Sequence, residues 1–224
     1  MKKIVCLLGM FFELLAFCNP SLAKSSYAAA AERNDNPKAY VFLADGFEDV
    51  EVMIPIDVLR RGGVNVVTVS IMNSTMVASA NGVNIKADMQ FKQGSYNDAD
   101  LLIIPGGMPG ARNLSYHEGV SNAIKDQLVA GKKVAAICAA PSVVLAAIGV
   151  LNGKYATCCP GYESGLKSAG ATFTGDLVTV DGNITTAEGP AASFPFAFEL
   201  LTQLVNKATS NAIAESMRYK HLME

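Results

Sequence analysis

Short, largely apolar runs alternate with amphipathic stretches along most of the chain. The runs at 38–44, 64–71, 101–105 and 134–137 have strand length and predict β-strands, most of them buried. Between them, 50–61 and 118–130 place apolar residues at helical spacing, and Gly62-Gly63 closes the first of these helices. The segments 75–79 and 83–87 flank Asn81-Gly82, and 178–181 and 184–187 flank Gly182-Asn183; both pairs predict hairpins. A helix is expected over 141–148, a short strand at 155–158, a helix at 162–169 before Gly170, and terminal helices at 191–205 and 211–219. Repeated strand–helix units imply an α/β fold with a mostly parallel sheet and helices on both faces.

The first residues follow a different pattern. Lys2 and Lys3 precede a mostly apolar run, and Ser21-Leu22-Ala23 is a small-x-small cleavage signal. This predicts a signal peptide over 1–23, a flexible Ala/Ser/Asn-rich tether over 24–37, and a single domain over 38–224. The expected location is therefore exported, periplasmic or secreted, with an uncleaved membrane anchor as the alternative. Glu13 interrupts the apolar run. Beyond the leader, no apolar stretch is long enough to span a membrane.

Composition narrows the function classes. Of 224 residues, half are hydrophobic and 17% charged, so a real core is expected and extensive disorder is not. The net charge of −2 offers no basic surplus for nucleic acid. Of five cysteines, Cys138, Cys158 and Cys159 would remain after cleavage. Their spacing and the distant His117 and His221 do not form a zinc pattern, and no metal is expected. A disulfide between the adjacent Cys158 and Cys159 would be strained.

Candidate chemistry centres on VAAICAAPSVVLAAIG. Cys138 lies between a strand and a helix start with Pro141 in its first turn. Helix N–H groups and the dipole there favour the thiolate, so a lowered Cys138 pKa is expected. The strand at 101–105 runs into Gly106-Gly107, where the absence of a Cβ lets backbone N–H groups face a ligand. In a parallel sheet both segments end at one edge, so a nucleophile and oxyanion donors would meet. Glu48, Asp49 and Glu51 cluster at a helix start beyond the first strand, which ends at that same edge. A carboxylate there can reach the thiol, but the local sequence does not choose between Glu48 and Glu51.

The order LADGFEDVEVMIPIDVLRRGG, LLIIPGGMPGARNL, VAAICAAP and TTAEGPAASFPFAFELL resembles the ThiJ/PfpI family, nearest the subgroup of the Parkinsonism-associated deglycase. The resemblance spans 38–205 and implies a flavodoxin-like three-layer sandwich similar to class I glutamine amidotransferases. It implies Cys138 as nucleophile, Glu51 as its carboxyl partner, and Gly107 and Ala139 as the residues whose amides face the sulfur. It also implies a homodimer and a cofactor-free conversion of a small aldehyde such as methylglyoxal to lactate, of glyoxalase or deglycase type. The alternative is a non-enzymatic redox sensor or chaperone acting through oxidation of Cys138. Ala139 follows Cys138 where peptidase-like relatives carry histidine, which argues against an amidase or peptidase. Some relatives place a histidine before the proline of the TCCPG segment; here that position is Cys159, a second thiol expected near the pocket. His117 is expected to cap a surface helix.

Overall fold

The structure is a computed structural model that describes residues 36–92 and 96–219. The expected signal peptide, nearly all of the tether and His221 lie outside the described residues. In chain order the elements are β1 (Lys38–Leu43), α1 (Asp49–Arg61), β2 (Asn65–Ser70), β3 (Met76–Ala78), β4 (Asn84–Lys86), β5 (Met89–Gln90), β6 (Leu101–Ile104), α2 (Gly110–Tyr116), α3 (Glu118–Val129) and β7 (Lys133–Ile137). A π-helical turn (Pro141–Ala146) follows, then β8 (Tyr155–Ala156), α4 (Glu163–Ser168), β9 (Thr172–Phe173), β10 (Val178–Asp181), β11 (Ile184–Ala187), α5 (Ser193–Leu204) and α6 (Lys207–Ser216).

Seven strands form the central sheet in the order β10-β11-β7-β6-β1-β2-β5. Every pairing is parallel except the β10–β11 hairpin at one edge. The continuous apolar runs arise because both faces of the inner strands are buried. Ala39, Val41 and Leu43 of β1 join Val52, Leu59, Phe196, Leu200 and Ile213 on the face covered by α1, α5 and α6. Tyr40 and Phe42 point the other way, among Leu114, Val120, Ile124, Val144 and Leu166 from α2, α3, the π-helical turn and α4. Burial of each such large side chain stabilises the fold by about 1.5–3 kcal/mol.

The expected α/β sandwich is present, with local differences. The helix expected over 141–148 is a six-residue π-helical turn. The last helix starts at Lys207, not 211, because Asn206 caps it: its Oδ1 accepts the Thr209 N–H at 2.8 Å. Helix α2 and strands β5 and β9 were not expected from the sequence. Among the described residues no helix is long and apolar enough to cross a membrane.

Candidate active site

Three carboxyl-end connections of parallel strands converge on Cys138. From β1 the chain turns through Gly46 into α1, whose first turn carries Glu51. From β6 it runs directly into Gly106 and Gly107, and from β7 into Cys138 itself. The neighbouring strand β11 anchors the nucleophile, since the Cys138 N–H donates to the Ala187 carbonyl at 2.9 Å.

Cys138 is one of two non-glycine residues with positive φ, at +65°, among the described residues. A left-handed cysteine costs on the order of 1–3 kcal/mol of backbone strain. Strand pairing on one side and the π-helical turn on the other hold it there. The result is a sharp turn that leaves the sulfur half-buried at the strand end.

Glu51 is fully buried, at 0% exposure, whereas Glu48 and Asp49 are half-exposed and both accept from the Asn81 side chain. Packing therefore separates the carboxyls that the local sequence does not. Glu51 Oε2 accepts the Gly106 N–H at 2.9 Å. Its other oxygen is buried without a hydrogen-bond partner, and Cys138 lies near enough to raise the carboxyl's pKa. Burial, then the charge of Cys138 and the hydrogen bond to it, push the Glu51 pKa up to about 9 against the pull of the Gly106 N–H. At neutral pH this carboxyl is protonated and can donate toward sulfur.

The glycine pair is required by close approach. A Cβ on Gly106 would lie 2.5 Å from Glu51 Oε2 and 2.6 Å from Cys138 Cβ. A Cβ on Gly107, at φ +82°, would strike the Glu48 amide nitrogen and lie 2.5 Å from the Gly46 carbonyl oxygen. The two amides have different partners. That of Gly106 is committed to Glu51, while the Gly107 N–H lies on the Cys138 sulfur and lowers its pKa. Ala139 is buried on the turn beside Cys138, and its carbonyl accepts from the Ser142 and Val143 amides.

The structure also brings in Cys159. Its N–H donates to the Cys138 carbonyl at 3.0 Å, which sets the two thiols near enough to perturb each other. This corrects the expected lowering of the Cys138 pKa. Cys159 pushes Cys138 up and burial adds to it, while Glu51 and the Gly107 amide oppose them. Cys159 is lowered, first by Cys138. The two thiols titrate as a coupled pair, in which Cys159 gives up its proton before Cys138. The helix field that was expected to act on Cys138 comes from a π-helical turn of only six residues, too short to outweigh an adjacent thiol.

Cys158 faces the core at 1% exposure, and burial followed by the charge of Glu163 pushes its pKa up to about 12. His117 caps α3 through Nδ1, which accepts the Val120 N–H at 3.2 Å, and it packs edge-on against Phe91. Among the described residues no cluster of three or more His, Cys, Asp or Glu side chains could hold a metal.

The family model for the DJ-1/PfpI family matches residues 37–203. The chain is 32% identical over 167 residues to a deglycase of Pyrococcus horikoshii, covering 75% of this chain and 99% of the relative. It is 29% identical over 170 residues to a glutathione-independent glyoxalase of Caenorhabditis elegans, covering 76% and 89%. With the Arabidopsis thaliana DJ-1 homolog B it shares 34% identity over 184 residues, 82% of this chain but only 42% of that protein. The chain thus spans less than half the length of that relative. The solved structure of oxidized DJ-1 from Toxoplasma gondii superposes with a TM-score of 0.77 at 33% identity, covering 81% of this chain and 97% of the other.

Proposed function

Because the chain belongs to the DJ-1/PfpI family, we propose that Cys138 and Glu51 convert small reactive aldehydes such as methylglyoxal to hydroxy acids without a cofactor. The observation that carries this reading is the buried, protonated Glu51 carboxyl held between the Gly106 amide and the Cys138 thiol. Relatives named as a glyoxalase and a deglycase support the same class of substrate.

The Cys138 sulfur adds to the aldehyde carbon and passes its proton to Cys159, the neighbouring thiol. The Gly107 and Ala139 amides face the developing oxyanion, and Glu51 supplies its proton. Glu51 is then a carboxylate in a dry site, which makes it a stronger base than an ordinary one. It takes the hydrogen from the former aldehyde carbon and returns it to the neighbouring carbonyl carbon, while the hydroxyl proton passes from the first oxygen to the second. The product is a lactoyl thioester, which water cleaves to lactate and free thiol. Overall, methylglyoxal plus water gives lactate.

The homodimer implied by the resemblance is part of this proposal. Val50 and Met53 on α1, 38% and 47% exposed, are apolar side chains that such an interface would cover. Export of the domain after removal of 1–23 is proposed as well. The deciding experiment is lactate formation from methylglyoxal without glutathione. Wild type should turn over repeatedly, and Cys138→Ala should form none. A wild-type protein whose Cys138 alkylates normally but makes no lactate would overturn the reading.

A further inference from the structure

Cys138 and Cys159 are both free and half-buried, and they meet across a backbone hydrogen bond of 3.0 Å. A direct backbone bond of that length brings two Cα atoms to roughly 5.5 Å, the spacing of hydrogen-bonded neighbours in a sheet. A disulfide spans roughly 4.4–6.8 Å between Cα atoms. Each thiol lies near enough to shift the other's pKa. Cys159 lies in the irregular stretch between β8 and α4, so its side chain can close the remaining gap without breaking a helix or strand. Cys158 is buried in the core cluster beside α4 and leaves Cys159 alone facing the site.

We infer that Cys159 is the resolving thiol for Cys138, so that the same site reduces hydroperoxides through an intramolecular disulfide. The inference rests on Cys138 being the reactive thiol, as in the proposed function, but not on any aldehyde step. In the first step the Cys138 sulfur attacks the outer oxygen of a hydroperoxide. The O–O bond breaks, giving Cys138 sulfenic acid and an alcohol, or water from hydrogen peroxide. In the second step the Cys159 sulfur attacks the sulfenic sulfur. The S–O bond breaks, the hydroxyl leaves as water with a proton from Cys159 or from solvent, and the disulfide forms. Two thiols have then supplied the two electrons that the peroxide consumed. An external dithiol restores both by thiol–disulfide exchange. Because the backbone holds the second thiol beside the first, resolution outruns the second oxidation that would give the irreversible sulfinic acid.

Trypsin separates the two sites, since cleavage after Lys133, Lys154 and Lys167 puts Cys138 on 134–154 and Cys158 with Cys159 on 155–167. The reduced full chain is treated with a several-fold excess of hydrogen peroxide in the absence of aldehyde, then alkylated, digested and weighed. The expected product is the linked pair of peptides, about 2 Da lighter than their reduced sum and released by dithiothreitol. Cys158→Ala should keep the link. Cys159→Ser should lose it and carry Cys138 as the sulfinic acid, about 32 Da heavier. With excess dithiothreitol, wild type should consume many equivalents of peroxide.

Wild-type protein that accumulates sulfinic Cys138 while both thiols of 155–167 still alkylate overturns the inference. So does a link that survives in Cys159→Ser, or peroxide consumption that stops at one equivalent. The wild-type masses decide the matter even if the serine variant fails to fold. Lactate formation is read separately in the reduced protein, so failure of one chemistry is distinguishable from failure of the other.

Discussion

Glu51→Gln tests the site through two quantities that should move in opposite directions. The carboxyl is fully buried, with its pKa at about 9 against an ordinary value of 4.5. Below pH 4.5 it is protonated in both folded and unfolded chains. As pH rises from there the unfolded chain releases the proton and the folded chain keeps it, so folding is disfavoured by about 1.4 kcal/mol per pH unit until the folded pKa is passed. At pH 7 the accumulated cost is about 3 kcal/mol at most, since part of the shift comes from the charge on Cys138. Glutamine does not titrate, keeps an oxygen for the Gly106 N–H and keeps a donor for the sulfur. Glu51→Gln should therefore be more stable than wild type at pH 7. A gain of that size would raise Tm by roughly 6–12 °C in a domain of this length. The difference should shrink toward zero as pH approaches 4.5. Turnover of methylglyoxal should fall roughly 100-fold or more, because the amide cannot carry a proton. Calorimetry or thermal circular dichroism at pH 5, 6, 7 and 8, beside a lactate assay, gives both readouts. A lower Tm at pH 7, or a difference independent of pH, would refute a protonated Glu51. Full turnover in the variant would refute its role as proton carrier, and Glu48→Gln should match wild type throughout.

Gly106→Ala forces a methyl group against Glu51 and Cys138, so it should cost about 1–3 kcal/mol by chemical denaturation and abolish lactate formation. Cys159→Ala removes the main group that raises Cys138, so the pH midpoint of Cys138 alkylation by iodoacetamide, read by mass spectrometry, should move down; an unchanged midpoint would mean that Cys159 does not act on Cys138. Cys158, buried and pushed up to about 12, should resist alkylation until the protein is denatured. N-terminal sequencing of protein from the expressing cell should begin near Lys24, and an intact Met1 in a cytosolic pool would refute export.

The sheet was legible in the sequence because its inner strands are buried on both faces. Runs such as LLII and the VAAI that follows Lys133 have no polar positions on either face that would blur the pattern. What escaped was short. The two-residue strands Met89–Gln90 and Thr172–Phe173 are below the length at which any period can be seen. In Gly110–Tyr116 only the apolar Ala111 and Leu114 reach the core, too few to reveal a helix. Cys138 was legible from the strand, cysteine and small-residue pattern. Glu51 was separated from Glu48 only by family resemblance, since its burial depends on how α1 passes under Gly106. The coupling between Cys138 and Cys159 depends on tertiary proximity and has no local signal beyond the presence of two thiols.

The amide of Cys159 donates to the carbonyl of Cys138, and the amide of Cys138 donates to the carbonyl of Ala187. The reactive residue is thus part of the hydrogen-bonded framework and not the tip of a loop. Its amide should exchange with solvent deuterium only through the rare global opening of the sheet, at rates close to those of Val134 or Ile103. Access to the sulfur is then a matter of sieving by size and not of gating by motion. Two-carbon reagents should reach it at rates set by their own reactivity, and bulky maleimides should be slowed in proportion to their girth at every temperature below unfolding.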